Sequence, residues 1–173
     1  MTGSGAVILG ENVSPPYVRQ VCIGCIEDKG IKDANNMGAA MAPAAAATIR
    51  RFFEDTKTDQ NNYDLILTGD LGQVGSDLLY ELLFRDGYDI KAKHSDCGLL
   101  VYDREKQDVH AGGSGCGCSA SVLCSYILPS IKDGRLQNVL FIATGALLSP
   151  TSAQQGESIP GIAHLVHLSS NPK

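Results

Sequence analysis

Tyr63-Asp64-Leu65-Ile66-Leu67-Thr68-Gly69-Asp70-Leu71-Gly72 is the stretch whose reading decides the fold. Tyr63 to Thr68 is an apolar run too short for a helix, which predicts a buried strand. Gly69-Asp70-Leu71-Gly72 turns the chain into a helix, where Val74, Leu78, Leu79, Leu82 and Leu83 recur at helical spacing as a buried stripe. Gly87 follows in the position that commonly ends a helix. A strand passing through a glycine turn into an amphipathic helix is half of a βαβ unit.

The same alternation extends in both directions. Ala6 to Leu9 and Val18 to Ile26 read as strands, and Asp33 to Asn36 as a loop. A helix is expected from near Pro43, where a missing N–H costs little in the first turn. It buries Ala45, Ile49, Phe52 and Phe53, while Arg50, Arg51, Glu54 and Asp55 lie elsewhere. Downstream, Cys97–Asp103 reads as a short strand. Gly112–Gly117 leads into a helix carrying Val122, Leu123, Tyr126 and Ile127, which Pro129 should kink or end. Val139–Ala143 and Gly161–Leu168 are the last strands. The order predicts a single α/β domain over residues 1–173, with a mostly parallel mixed sheet, packed helices and a hairpin-like antiparallel pair at the end.

With 43% hydrophobic residues in 173, the chain can build a continuous core without disulfide or metal staples. A net charge of −5 and no Lys/Arg run make nucleic acid and anionic lipid poor partners. No apolar stretch approaches the ~20 residues of a membrane span, and nothing resembles a signal peptide, so synthesis in the cytoplasm is expected. Six cysteines in a chain of this length read as reduced thiols, mostly buried as small apolar groups. In a strand from Val18 to Ile26, Cys22 and Cys25 would point to opposite faces and could not share a metal. The same reasoning separates His164 from His167. No metal and no cofactor are expected.

In open α/β sheets ligands bind beyond the carboxyl ends of the strands. Thr68–Gly72, His110–Cys118 and Thr144–Ser149 fall there. The candidate ligand-binding residues are Gly69, Asp70, His110, Gly112, Gly113, Ser114, Gly115, Cys116, Thr144 and Gly145. Glycines let backbone N–H groups approach an anion, and Gly113 and Gly115 are the sharpest positions for that. The same glycines also suit tight helix–sheet packing, and His110 suits a plain surface role; both pairs of readings stand. No G-x-S-x-G elbow supports a serine triad, and no catalytic residue is assigned.

Three stretches together, Thr2–Leu9, His110–Val122 (HAGGSGCGCSASV) and Val139–Leu148 with the closing strand, resemble the thiolase-like superfamily. Asp96–Asp103 and Ser158–His164 narrow the resemblance to its stage V sporulation branch in spore-forming bacteria. The resemblance implies that the chain is the C-terminal half of a two-half fold, with residues 1–10 closing the first half and the nucleophile cysteine lying in that other half. A helix covered on both sides in the whole protein would then show an apolar face. It also implies departures. Gly69-Asp70-Leu71-Gly72 stands where β-ketoacyl synthases carry a catalytic histidine, a residue of Gly112–Ser114 replaces their asparagine, and the thiolase Gly-His-Pro is absent. Without a general base, acyl transfer lacks its proton partner. The implied function is non-enzymatic binding of dipicolinic acid (pyridine-2,6-dicarboxylate), with Asp70 suiting a calcium chelate of it better than the bare dianion. It would act at the forespore or spore inner membrane beside membrane proteins of the same operon, as a homodimer in the full-length form. An acyltransferase half and a scaffold at that membrane are the alternatives.

Overall fold

A computed structural model describes residues 1–11 and 14–172. Its centre is a five-stranded sheet in the order β1-β5-β4-β2-β3. The strands are β1 (Tyr17–Cys22), β2 (Leu65–Thr68), β3 (His94–Asp96), β4 (Asn138–Ala146) and β5 (Gly161–Ser169). β2 pairs in parallel with both β3 and β4, whereas β5 runs antiparallel to both β4 and β1. The mixed α/β class is as expected, including the antiparallel pair at the end. The balance is even rather than mainly parallel, because β5 contributes two antiparallel junctions.

Alternation along the strands divides the core between two faces. Ile66, Leu140, Ile142, Ala163 and Leu165 pack against α1 (Met37–Thr56) and α2 (Gly72–Arg85). Ile49, Phe52 and Phe53 of α1 and Leu79 and Leu83 of α2 supply the other side of that layer. Fully burying each such side chain contributes roughly 1.5–3 kcal/mol. Leu67, Val139 and Leu168 face the opposite way, toward Cys97, Cys118, Val122, Ile127 and Ile131. On that second face the cover is partial. An apolar groove of about 530 Å³ remains, lined by Val18, Val21, Phe141 and Val166 of the sheet and by Val7, Ile8 and Leu9.

Several local expectations are corrected. α1 starts at Met37, not near Pro43, because the Asn36 side chain caps it by accepting from the Ala39 N–H. Pro43 therefore lies inside the helix. Ala6–Leu9 forms no strand; residues 1–10 run without regular structure, and Gly3 and Gly5 sit against Gly117, Ala120 and Ser121. In α2 the buried stripe is Gly75, Ser76, Leu79 and Leu83, while Val74 and Leu78 are exposed. Cys97–Asp103 is not a strand: β3 ends at Asp96, whose side chain caps the short helix α3 (Cys97–Leu100). Pro129 does not end its helix. α4 (Cys118–Val122) passes through a π-helical turn at Leu123–Ile127 into α5 (Leu128–Lys132). The wider turn absorbs the missing N–H, and the Ser130 hydroxyl donates to the Tyr126 carbonyl at 2.7 Å. One further short helix, α6 (Pro150–Gln154), joins β4 to β5.

β1 is also shorter than expected. It stops at Cys22, and Gly24 continues beside Ala163 before Glu27 bridges to Gly161. The cysteines are mixed in burial: Cys97 and Cys118 are buried, but Cys25 and Cys116 are exposed. His164 and His167 do face opposite ways. His164 is exposed, with its Nδ1 accepting from the Gly24 N–H, and His167 packs edge-on against Phe52 and Tyr63.

At Gly161 the sheet lies directly against the backbone of α1. A Cβ there would run into the Ala40 carbonyl and lie 3.0 Å from the Met41 Cα, both backbone atoms that cannot rotate away. Gly161→Val should therefore destabilise the fold by about 1–3 kcal/mol in urea unfolding. Gly10→Ala, with nothing within 4 Å of the added carbon, should stay within about 0.5 kcal/mol. Equal effects at the two positions would contradict this packing.

Candidate functional site

The loops at the carboxyl ends of β2 and β4 meet the glycine loop through Asp70. Its Oδ2 accepts from the Ser114 hydroxyl at 2.9 Å and the Gly115 N–H at 3.2 Å. Its Oδ1 accepts from the Thr144 hydroxyl at 3.1 Å, and that same oxygen of Thr144 accepts from the Asp70 N–H at 3.1 Å. Gly69 is needed for this approach, because a Cβ there would lie 2.6 Å from the Thr144 hydroxyl. One carboxylate thus clasps three segments that are distant in sequence. Three donors from the protein engage its two oxygens although the residue is only half-buried.

A second carboxylate lies directly behind it. Asp96 is fully buried, and its Oδ2 accepts from the Thr68 hydroxyl at 2.6 Å and the Leu71 N–H at 2.9 Å. Its Oδ1 accepts from the N–H groups of Gly72 at 3.1 Å and Gly98 at 3.0 Å. Burial pushes this carboxyl up, and the Thr68 hydroxyl and the three backbone donors pull it back. Because Thr68 has one proton and gives it to Asp96, the His94 Nε2 at 2.9 Å must be the donor toward Thr68. The His94 Nδ1 then accepts from the Tyr80 hydroxyl at 2.8 Å. The result is a directed chain from Tyr80 through His94 and Thr68 to Asp96. Burial holds His94 down at about 4, so it is neutral near pH 7.

The glycine loop is held by the same acid at one remove. The Gly113 N–H donates at 2.7 Å to the carbonyl of Gly98, the same residue whose N–H donates to Asp96. Gly112 takes φ +120, a conformation a side chain rarely adopts, and a Cβ there would lie 2.9 Å from that carbonyl oxygen. Three of the loop's N–H groups, at Gly112, Gly113 and Gly115, are already engaged with the protein itself. Gly113 is buried, and a Cβ there would meet Val101 and Tyr102 side chains at 2.6 and 2.9 Å. It packs closely against these two side chains and also borders the cleft described next.

A cleft of about 290 Å³ opens beside this clasp. Asp70, His110, Gly112, Gly113 and Ser114 line one side, and Asn35, Asn36, Met37 and Gly38 at the start of α1 line the other. Of the expected residues, Gly69, Gly115 and Thr144 stand behind the cleft wall through their contacts with Asp70, and Cys116 and Gly145 do not line it. His110 is exposed at the rim, in the left-handed region at φ 48, with its Nδ1 3.6 Å from an Asp108 carboxylate oxygen. Asn35 and Asn36 are not legible in the sequence as wall residues, because a helix expected only from near Pro43 leaves them remote from its start, whereas α1 begins at Met37. Asp96 is missed as well, although Thr68-Gly69-Asp70-Leu71-Gly72 upstream leaves two buried turn N–H groups, at Leu71 and Gly72, that demand an acceptor.

The model of the stage V sporulation protein AD family matches residues 1–169. The chain belongs to that family. It is 50% identical over 164 residues to stage V sporulation protein AD of Bacillus subtilis (strain 168), covering 95% of this chain and 48% of that one. The tetronic acid condensing enzyme AbyA1 superposes with a TM-score of 0.52 at 12% identity, over 93% of this chain and 49% of that one. The fold is therefore that of the thiolase-like condensing enzymes. The chain spans about half the length of the relatives it matches.

Two outcomes test the buried network. Asp96→Ala strands three N–H groups and a hydroxyl, and should cost about 3 kcal/mol or more in unfolding free energy. For His94, the folded state disfavours protonation while the unfolded chain protonates near 6.5. The unfolded state therefore binds the extra proton between about 6.5 and 4, and stability is fully present above that window and lost as pH falls through it. The loss should be on the order of 3 kcal/mol in the wild type and absent in His94→Gln, read as the difference between their unfolding curves at each pH.

Proposed function

We propose that this protein is a non-enzymatic binding component for dipicolinic acid, acting in the movement of that molecule during sporulation and germination. Its setting is the forespore or spore inner membrane, beside membrane proteins of the same operon, although no described helix is long and apolar enough to cross a bilayer itself. The observation that carries the reading is the cleft. One wall is the start of a 20-residue helix with no acidic residue in its first turn, and the other is the rim at His110 and Ser114. A helix start favours an anion, and the Asn35 and Asn36 amides add neutral donors. About 290 Å³ is close to the lower bound for small-molecule sites, in keeping with a one-ring ligand.

Asp70 has both oxygens engaged, so the ligand is better read as the bare dianion than as a calcium chelate. The non-enzymatic reading draws support from the thiols. Burial pushes Cys118 up to about 11 and Cys97 higher still, and neither is a ready nucleophile. His94, bonded to Thr68 at the end of β2, is neutral and held between Tyr80 and Thr68. The apolar groove on the second face of the sheet is where the remaining half of such a protein would sit, and the working unit is a homodimer of the two-half form.

Calorimetry on a form carrying both halves tests the proposal. Dipicolinate should bind without added calcium, and His110→Ala should weaken it about tenfold with an unchanged melting temperature. Absence of binding, or acyl transfer from acyl-coenzyme A that a substitution in this chain abolishes, would overturn it.

A further inference from the structure

Cys22-Ile23-Gly24-Cys25 takes no part in the cleft, yet the structure puts its two thiols on the same side of the sheet. Cys22 is the last residue of β1, paired with Leu165. Glu27 then bridges to Gly161, its N–H donating to the Gly161 carbonyl at 2.9 Å and its carbonyl accepting from the Gly161 N–H at 2.8 Å. Five residue steps, from 22 to 27, therefore oppose four, from 165 to 161. One extra residue in a strand is a bulge, and it reverses the alternation of side chains beyond it.

The consequence is visible at both sulfurs. Cys22 packs against the α1 layer of the core, and the Cys25 Sγ lies 3.9 Å from Nη1 of Arg51, also on α1. Cys25 is exposed and lines a cleft of about 270 Å³ with Gly24, Thr48, Arg50 and Arg51, so a small oxidant reaches it directly. Cys22 is half-buried behind it. Burial pushes the Cys22 thiol up, with Arg51 partly offsetting that, which suits a thiol that reacts second. Among the described residues no group of three or more His, Cys, Asp and Glu is placed to hold a metal ion.

We propose that Cys22 and Cys25 are an oxidisable dithiol, in which exposed Cys25 reacts first with a peroxide and Cys22 resolves the product into a disulfide. The Cys25 sulfur, having given up its proton, attacks one oxygen of hydrogen peroxide, the O–O bond breaks, and the departing hydroxide takes a proton and leaves as water. The Cys22 sulfur then attacks the resulting sulfenic acid, the S–O bond breaks, and a second water leaves as the S–S bond forms. Two thiols are oxidised by two electrons, and one peroxide is reduced to two waters.

The test treats the 173-residue chain with one equivalent of hydrogen peroxide, alkylates free thiols, and maps the peptides by mass. The expected product is a single peptide holding Cys22 and Cys25, lighter by two hydrogen atoms and alkylated only after reduction. Cys22→Ser should instead leave Cys25 as a sulfenic acid that dimedone traps, while Cys25→Ser should leave Cys22 free to alkylate. Dimedone labelling of Cys25 with Cys22 intact and free would overturn the proposal. So would oxidation confined to Cys116, the other exposed thiol.

Discussion

Everything at the carboxyl end of the parallel strands depends on one buried anion. Asp96 is removed from water and takes four donors, three of them backbone N–H groups from two different turns. The turn after β2 must expose those N–H groups inward to start α2, and the start of α3 has the same need. A single carboxylate meets both, so it fixes the two turns relative to each other. Hydrogen-bonded burial of this kind is costly to break because the orphaned donors have no water to return to.

From Asp96 the order spreads outward in two steps. Gly98, which donates to it, accepts from Gly113 and so anchors the glycine loop. Asp70, on the turn Asp96 fixes, then reaches Ser114, Gly115 and Thr144. The two carboxylates divide the work. Asp96 sets the backbone, and Asp70 closes the loops over it, leaving the cleft to be walled by the start of α1 and the rim at His110.

The sheet meets its surroundings unequally. On one face α1 lies so close that Gly161 admits no side chain, and Phe52, Phe53 and Tyr63 fill the layer with ring contacts. On the other, Val18 and Val21 remain exposed beside the groove, with Ile8 97% and Leu9 80% exposed at its edge. Exposed apolar surface of this extent marks a contact surface. It agrees with a chain covering about half the length of its relatives.

The sequence by itself determined the class, the strand–turn–helix unit at Tyr63–Arg85, the closing antiparallel pair, and which three loops would gather. Those follow from hydrophobic period and from glycine position, which act over a few residues. Tertiary structure decided the rest. Whether a glycine serves a ligand or a neighbour depends on what stands opposite, and opposite Gly113 stand Val101 and Tyr102. Whether Cys22 and Cys25 share a side depends on one unpaired residue in the register against β5, which alternation along β1 alone does not reveal. Asp96 could be recognised as the anchor only once β3 lay beside β2, because two of the three backbone donors it satisfies belong to a turn more than twenty residues away in the chain.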